Sequence, residues 1–423
     1  MLFKNVKQVA QWRLCTGCGA CVYICPEKKI HLADIIHDGL RPVLKDENCK
    51  SCNDCLKVCP GYEIVQEPPN DREKCILSLR RDWGPILEIW EGYASDPEIR
   101  FLGSSGGLAT ALSLYGLEKR NISCTVQIGE DKTNSLKNRT FVSRTRKELI
   151  DRTGSRYAPG APCEGLSQAE IENGSFVFVG KPCDIAGLRK ATAIRPQLTE
   201  KVGLAIGIFC AGTPATLGTL ELLKSIDVNP GDVAELRYRG SGWPGNFSVK
   251  LKNDDHIKTL SYKNSWGFLQ KYRPYRCHLC PDGTGEFADI SCGDPWYRQN
   301  EADNPGQSLI LVRTKKGEEI LKGAISEGYI SAKPANHNIL MNSQKSLYGK
   351  RASIWGRLMA FGAWGLSKPR YEGFSLLSSW LTLPLMGKIK SVAGTMRRII
   401  QRKYYRPQIF SAKKGLDEKA ERI

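Results

Sequence analysis

Eight cysteines near the start of the chain repeat one pattern twice, C-x2-C-x2-C-x3-C-P. The first copy contains Cys15, Cys18, Cys21 and Cys25, and the second contains Cys49, Cys52, Cys55 and Cys59. Three thiolates at this spacing can wrap a short loop around one face of an iron-sulfur cubane. A proline follows each last cysteine and prevents the turn from continuing as a helix. The spacing predicts two 4Fe-4S clusters and one-electron chemistry.

The doubled pattern is typical of bacterial-type dicluster ferredoxins, in which the fourth cysteine of each run binds the other cluster. It predicts one cluster on Cys15, Cys18, Cys21 and Cys59, and a second on Cys49, Cys52, Cys55 and Cys25. Gly17 and Gly19 let the backbone come close to the sulfides. A disulfide framework is one alternative, but residues 1–14 are basic and lack the apolar core of a signal peptide. Zinc is the other, because C-x2-C pairs bind both metals.

The chain is too long to be a ferredoxin alone. Its 423 residues, 41% hydrophobic and 25% charged, are typical of a globular protein with one or two further domains. We expect a dicluster ferredoxin-like domain at 1–70, a larger α/β domain at 80–335 and a basic C-terminal helical extension at 336–423. Sixteen cysteines without a secretory segment indicate a reducing compartment. The expected location is the cytoplasm, or the cytoplasmic face of a membrane.

Short apolar strands alternate with turns and helical stretches from about residue 83 to residue 330. Strand 175–179 precedes the turn GKPCD, strand 201–209 precedes CAGTP, and SLILVRT precedes the helical stretch KKGEEILKGAI. Such strand-turn-helix units predict an α/β domain whose functional residues lie in turns at strand C-terminal ends.

Cysteines occupy these turns. Cys183 and Cys210 follow the first two strands, and Cys277 and Cys280 form a later C-x2-C pair. Four thiols are the right number and type for a third cluster. Zinc is the alternative, with His278 an unfavourable ligand between two cysteines. The other four are interpreted as structural or spare: Cys75, Cys124, Cys163 and Cys292.

Two turns rich in glycine and serine are candidate binding loops. The first, GSSGG at 103–107, precedes the helical stretch LATALSLYGLEK. A turn at a helix N-terminus offers N–H groups and hydroxyls to a phosphate or a flavin ring edge, although such turns also serve only as N-caps. In the second, GSRYAP at 154–159, Arg156 could pair with phosphate and Tyr157 could stack on a ring.

Together the motifs resemble the beta subunit of the coenzyme F420 hydrogenase/dehydrogenase family, which also includes ferredoxin-dependent chlorophyll-pathway reductases. The matching segments, in order, are GSSGGLATAL, GSRYAP, GKPCDIAGLRK, IFCAGTP, CHLCPD and FADISCGDPW. The resemblance covers about residues 1–335 and implies that the α/β domain at 80–335 is a flavin-binding domain, with FAD beside a 4Fe-4S cluster. The implied FAD residues are Ser104, Ser105, Gly106, Gly107, Ser155 and Tyr157, flanked by Lys181 and Pro182. Cys183, Cys210, Cys277 and Cys280 match the recurrent cysteines of the family, whereas Cys292 stands at a usually apolar position.

Three functions are compatible with these features. The leading hypothesis is an FAD- and iron-sulfur-dependent oxidoreductase that passes electrons between a coenzyme F420-type hydride carrier and ferredoxin or another redox protein. The first alternative is a ferredoxin-dependent reductase of an organic substrate, in polysaccharide or glycan-lipid biosynthesis at the membrane. The second is a non-catalytic electron-transfer subunit. No residue is assigned a catalytic role, and the direction of electron flow stays open.

The net charge of +18 is concentrated near the C-terminus. Residues 328–416 contain sixteen Lys and Arg against one acidic residue, Glu372, a net charge of +15. This distribution predicts a charged appendage, whose removal after Pro334 should spare the cofactors. The apolar run 374–386 is shorter than the roughly 20 residues that cross a bilayer. It is expected in the membrane interface, with Trp380 at headgroup level. A solvated tail or a helix packed on a partner is the alternative, and nucleic-acid binding is not expected.

Overall fold

The N-terminal part of the protein is a small domain of short helices and a hairpin. The structure is a computed structural model that describes residues 3–45, 49, 52–67, 75–299 and 304–409. The helices of this part are α1 (Val6–Gln11), α2 (Ala20–Ile24) and α3 (Asp54–Lys57), and its strands are β1 (Ile30–Ile35), β2 (Gly39–Leu44) and β3 (Glu63–Val65). β1 and β2 pair antiparallel, with Ile30 opposite Leu44. The predicted cluster cysteines lie in the loops and short helices around this hairpin.

The larger domain is built on a mixed sheet of eight strands. These are β4 (Glu88–Ala94), β5 (Ile122–Asp131), β6 (Asn134–Ser143), β7 (Ser175–Gly180), β8 (Val202–Ile208), β12 (Ile290–Gly293), β13 (Ser308–Val312) and β14 (Ile330–Pro334). Their order is β14-β4-β13-β12-β8-β7-β5-β6. Three strands between β8 and β12 form a separate small sheet: β9 (Val233–Arg237), β10 (Asn246–Leu251) and β11 (Asp254–Ser261).

Helices pack on both faces of the eight-stranded sheet and on the small sheet of β9, β10 and β11. They are α4 (Leu77–Trp83), α5 (Pro97–Leu102), α6 (Leu108–Lys119), α7 (Arg146–Ile150), α8 (Leu166–Glu170), α9 (Pro182–Ile194), α10 (Pro196–Lys201), α11 (Thr216–Lys224), α12 (Tyr262–Leu269), α13 (Tyr275–His278) and α14 (Lys315–Ser326). On one face, Leu112 of α6 and Leu321 of α14 pack with Ile206. On the other, Leu188 of α9 shares a core with Val9 of α1. Because the central strands are buried on both faces, their sequences are continuous apolar runs.

The predicted strand-turn-helix units are present, but they do not all run in the same direction. β7 with α9 and β8 with α11 belong to the parallel part of the sheet, where β5, β7, β8 and β12 are neighbours. The third unit, β13 with α14, has a strand that is antiparallel to both β12 and β4. The sheet is therefore mixed, and the parallel ends that gather functional turns are those of β7 and β8.

The C-terminal segment packs across both domains. Its elements are α15 (Asn338–Ser343), α16 (Lys345–Ala352), α17 (Ile354–Ala363), β15 (Arg370–Glu372), α18 (Leu376–Leu381) and α19 (Leu385–Gln401). β15 pairs parallel with β3 of the small domain, and the N–H of Gln408 donates to the carbonyl of Gln11 at 2.8 Å. Ile399 and Tyr404 are buried in the core that contains Val9. Charge alone suggested an appendage, but these contacts make the segment part of the folded body.

Part of the C-terminal segment that was predicted to contact a membrane packs within the protein instead. Among the described residues, none of the helices is both long enough and apolar enough to span a bilayer. Trp380, expected at headgroup level, stacks obliquely on Trp355 with ring centroids 4.6 Å apart. Its Nε1 donates to Ser391 Oγ at 3.0 Å. Trp380 is therefore engaged inside the protein and is not available as an interfacial anchor in this arrangement.

Candidate functional site

Four N-terminal cysteines surround one small cavity. Its lining includes Cys15, Cys18, Cys21 and Cys59, together with Gly17 and Gly19. This is the crossed set that the motif predicts, with Cys59 of the second run joining three cysteines of the first. Gly19 has a φ of +87°, and a Cβ there would lie 2.9 Å from Glu164 Cγ. A glycine is therefore needed where this loop meets the larger domain.

The remaining four cysteines of the repeat lie near one another on the outer side of the small domain. Burial raises the pKa of the Cys55 thiol, and Cys52, Cys49 and Cys25 act on it in the same direction. In the inner set, burial likewise raises the pKa of Cys59, to about 12. The exception is Cys18, whose pKa is lowered by a hydrogen bond from Cys163. Cys52 is exposed and Cys59 buried, so the outer set is the one that meets solvent.

The four cysteines of the larger domain meet at a second cavity. Cys183 lies in the first turn of α9, Cys210 follows β8, Cys277 lies in α13 and Cys280 just after it. All four line a cavity that encloses about 650 Å³ of open space, including the solvent at its mouth. Burial raises the pKa of Cys210 to about 11 and also raises that of Cys280. Within the described parts of the chain, no three Cys, His, Asp or Glu side chains converge closely enough for a single metal ion; these thiols ring a cavity instead.

His278, between the paired cysteines, is directed elsewhere. It does not belong to the cavity lining. Its ring packs near Tyr275, with centroids 5.8 Å apart, and its carbonyl accepts a hydrogen bond from Arg357. Burial, followed by the charges of Arg273 and Arg357, lowers the pKa of the imidazole to about 3. The histidine supports the loop and does not face the thiols.

Buried and partly buried cationic side chains line the cysteine cavity. Lys181 Nζ donates to Asp184 Oδ2 at 2.7 Å, and Lys350 Nζ donates to the carbonyl of Cys210 at 3.2 Å. Arg41 and Arg276, each 2% exposed, also line it. Arg41 Nη2 and Arg276 Nη1 are buried and find no hydrogen-bond partner among the described residues. An anionic cluster held by thiolates would compensate these charges, so the donor set fits a 4Fe-4S cluster.

A larger cavity lies at the carboxyl ends of β7 and β8. It encloses about 1660 Å³ of open space, including the solvent at its mouth. Six of the predicted FAD residues line it: Ser104, Ser105, Gly107, Ser155, Tyr157 and Lys181. The first turn of α6, from Leu108 to Thr110, also contributes. The two predicted loops are joined, because the N–H of Ser155 donates to Ser104 Oγ at 2.5 Å.

Three residues predicted to bind the cofactor have other positions or partners. Gly106 lies behind the residues that line the larger cavity, and a Cβ at this position would stand 2.8 Å from the carbonyl oxygen of Gly92. Pro182 lines the cysteine cavity and not the larger one. Arg156 borders the larger cavity, but its guanidinium donates to the carbonyls of Leu236 and Ser135, each at 2.6 Å. Gly106 and Arg156 therefore shape the binding loops.

One wall of the larger cavity was not found from the sequence. Arg239, 2% exposed, donates to Asp294 Oδ2 at 2.8 Å, and Trp243 Nε1 donates to Asp294 Oδ1 at 2.8 Å. Tyr262 and Trp296 are stacked with centroids 5.1 Å apart. Burial lowers the pKa of Arg239, but Asp294 outweighs this effect and the net change is upward. This wall presents the faces of aromatic rings and the charged pair of Arg239 and Asp294. In the sequence, only the FADISCGDPW segment, which contains Asp294 and Trp296, pointed to it.

Two cysteines interpreted as spare border these sites. The N–H of Cys163 donates to the carbonyl of Cys18 at 3.1 Å, and its Sγ lies 3.4 Å from the carbonyl oxygen of Asp184. Cys163 thus connects a residue of the first cysteine set with the neighbour of Cys183. Cys292 lines the larger cavity, and burial raises its pKa to about 12.

The three cavities form a continuous row. The larger cavity and the cysteine cavity share Lys181, Cys210, Gly212 and Thr213. The cysteine cavity and the small-domain cavity share Cys15, Thr16 and Gly17. Tertiary structure therefore aligns a large cavity with two successive sets of thiols.

A dicluster ferredoxin-like domain joined to a mixed α/β domain of this kind defines an iron-sulfur oxidoreductase. Family models agree: a 4Fe-4S dicluster domain matches residues 14–62. The coenzyme F420 hydrogenase/dehydrogenase beta subunit matches in its N-terminal part at residues 89–166 and in its C-terminal part at 174–338. The chain belongs to this beta-subunit family. The predicted dicluster domain and family membership are confirmed, and coenzyme F420 is linked to the family by name.

The individual relatives have low sequence identity to this chain, but the alignments cover much of both proteins. An uncharacterized protein of Methanocaldococcus jannaschii is 24% identical over 358 residues, which cover 78% of this chain and 92% of the relative. The coenzyme F420 hydrogenase subunit beta of Methanothermobacter thermautotrophicus is 29% identical over 258 residues, covering 59% of this chain and 85% of the relative. One chain of the F420-reducing NiFe hydrogenase complex from Methanosarcina barkeri, in a structure of its xenon derivative, has a TM-score of 0.53 at 23% identity, covering 67% of this chain and 95% of that one. This last likeness shows the fold alone.

Proposed function

We propose that this protein passes electrons between a coenzyme F420-type hydride carrier and a one-electron partner such as ferredoxin, with FAD in the larger cavity and three 4Fe-4S clusters. The row of three adjoining cavities carries this proposal. When bound, a flavin would take up two electrons as one hydride and release them singly, and each cluster would carry one electron. The names of relatives support the hydride carrier: they include an F420 hydrogenase, an F420-dependent formate dehydrogenase and an F420H2 dehydrogenase.

The larger cavity offers the groups that a dinucleotide flavin needs. The first turn of α6 supplies backbone N–H groups and the positive end of a 12-residue helix, which favour phosphate. Ser104 and Ser155, already joined by a hydrogen bond, hold the two loops together at this point. Tyr157 packs against Trp266, with centroids 4.9 Å apart, and this fixes an aromatic face at the cavity. These residues would bind and orient FAD.

The cysteine cavity would hold the third cluster through Cys183, Cys210, Cys277 and Cys280. Anaerobically purified protein should contain about twelve irons per chain, four for each cluster. Cys277→Ser should reduce this to about eight and remove one EPR signal. Cys124→Ser is the control, because Cys124 is also a free cysteine of the larger domain but lines none of the three cavities. Full iron content in Cys277→Ser would contradict the third cluster.

The overall function is tested by adding reduced coenzyme F420 to the anaerobic protein and following flavin and cluster absorbance. We expect both to bleach. Gly106→Val is the control: its Cβ would collide with the carbonyl of Gly92 and displace the loop, so it should lose FAD and keep its iron. This variant should be reduced by dithionite but not by the deazaflavin. If wild-type protein is reduced by reduced ferredoxin and not by reduced coenzyme F420, the hydride-carrier function is excluded, and bound FAD would then favour the reductase of an organic substrate over the non-catalytic electron-transfer subunit.

We further propose that the protein contacts anionic membranes from the cytoplasmic side through α18 and α19. Five apolar side chains there are exposed: Leu377, Leu381, Leu385, Met386 and Ile389, with exposed fractions between 46% and 73%. Lys388 and Lys390 lie beside them, and no acidic residue occurs between Glu372 and Asp417. Apolar residues next to a basic cluster suit the interface of an anionic bilayer.

A vesicle-binding experiment tests this contact. Leu385→Asp should weaken sedimentation with phosphatidylserine-containing vesicles, because it places a like charge and a polar group in the interface. Leu77→Asp is the matched control: Leu77 is 71% exposed, against 73% for Leu385, but lies on α4. Equal binding of the two variants would exclude this surface as the membrane site.

A further inference from the structure

One buried arginine lies between the two cysteine sets. Arg276 is 2% exposed and precedes Cys277 in α13. Its Nε donates to the carbonyl of Leu14 at 2.9 Å, and its Nη2 donates to the carbonyl of Pro60 at 3.0 Å. Leu14 precedes Cys15 and Pro60 follows Cys59. The Arg276 side chain therefore connects the backbone next to Cys15 and Cys59, which belong to the small-domain set, to Cys277, which belongs to the set of the larger domain.

The charge of Arg276 needs a counterpart. Its third nitrogen, Nη1, is buried without a hydrogen-bond partner among the described residues, and the side chain lines the cysteine cavity. Two other buried arginines near the cavity, Arg41 and Arg351, are paired with Asp38 and Glu286, whereas the guanidinium of Arg276 lies over the Tyr371 ring, 5.6 Å from its centroid. Burying an unpaired guanidinium is costly. An anionic cluster in the cavity would supply the missing negative charge.

We propose that Arg276 couples the two cluster sites: its hydrogen bonds link them, and its charge raises the reduction potential of the cluster held by Cys183, Cys210, Cys277 and Cys280. This inference rests on the proposed function, because it requires the third cluster. A nearby cation stabilises the reduced, more negative form of a cluster. The step is a one-electron transfer without bond making: the flavin-side donor is oxidised by one electron, and the cluster is reduced by one. Arg276 thus favours electron transfer from the flavin side onto this cluster.

Three variants of the full chain separate charge from structure. Arg276→Gln removes the charge, and Arg276→Lys keeps it but loses the two-sided hydrogen bonding. Arg313→Gln is the matched control: Arg313 is 4% exposed, donates to the carbonyls of Trp83 and Pro85, and lines none of the three cavities. Each anaerobic protein is assayed for iron and titrated potentiometrically with EPR detection. In Arg276→Gln, we expect the reduction equilibrium of one cluster to fall at least tenfold, which is about 59 mV for one electron.

The outcomes distinguish this inference from the proposed function. Arg276→Gln with full iron and wild-type potentials would overturn the coupling alone. If Arg276→Gln does not fold, Arg276→Lys provides the test. This variant should keep the wild-type reduction potentials. In stopped-flow bleaching, it should transfer electrons more slowly from the flavin side to the ferredoxin-like clusters. Wild-type rates in Arg276→Lys would then overturn the inference. A wild-type protein with only about eight irons would overturn the third cluster, and the coupling with it.

Discussion

The buried ion pair of Arg351 and Glu286 is a direct test of how the C-terminal segment supports the cysteine cavity. Their side chains are 4% and 1% exposed. Arg351 Nη1 also donates to the carbonyl of Pro281, next to Cys280, at 3.1 Å. Its Nη2 donates to the carbonyl of Phe374 at 3.0 Å. One side chain therefore ties the loop after Cys280 to the segment before α18.

Replacing Arg351 by methionine keeps much of the side-chain length but leaves Glu286 buried without its partner. Breaking a buried pair in this way costs about 3–5 kcal/mol. For a urea dependence of about 3 kcal/mol per M, the midpoint of unfolding falls by about 1 M or more. The double variant Glu286→Gln, Arg351→Met also removes the buried charge, so it should recover part of the loss.

The loss should also depend on pH. Burial raises the pKa of the Glu286 carboxyl above its ordinary value of 4.5, and Arg351 opposes this rise. Without Arg351, the pKa in the folded state rises further, so the folded protein binds the proton more tightly than the unfolded chain does. The destabilisation therefore grows as the pH rises above about 4.5. Glutamine does not titrate, so the double variant should lack this added dependence.

The assay is anaerobic urea unfolding at pH 6 and pH 8, followed by circular dichroism, with iron measured on the same samples. Arg370→Met is the control, because this arginine is 59% exposed in its pair with Glu63 and should leave the midpoint unchanged. Equal midpoints for wild type and Arg351→Met, or the same pH dependence in the single and double variants, would refute the reasoning.

Two further predictions concern the surroundings of the clusters. Cys163→Ala should leave the iron content unchanged but alter the EPR signal or potential of the cluster bound by Cys18, because it removes the hydrogen bond that lowers the pKa of that thiol; identical spectra would contradict this role. Truncation after Pro334, expected from the charge pattern to spare the cofactors, should instead lower the iron content, because it removes Lys350 from the cysteine cavity. Iron analysis of the truncated chain, with full occupancy as the contrary result, checks it.

Local features could be predicted from the sequence because they depend on neighbouring residues. Cysteines three positions apart lie on one loop in any fold, so the two runs predicted the dicluster domain. The turns after β7 and β8 were predicted in the same way, because an apolar run followed by a glycine or proline turn and a helical stretch defines a strand-turn-helix unit. The grouping of Cys183 and Cys210 followed, because parallel neighbouring strands end at the same edge of the sheet.

Only the tertiary structure decided which distant residues complete each site. Arg276 contacts the carbonyl of Leu14 across 262 positions of the chain, and Lys350 contacts the carbonyl of Cys210 across 140. Neither arginine nor lysine carries a local pattern that predicts such a contact. Gly106 was grouped with the lining residues by its motif, yet the backbone of Gly92 lies where its side chain would be. Spacing along the chain specifies which groups share a loop, whereas the packing of separate elements specifies which loops share a cavity.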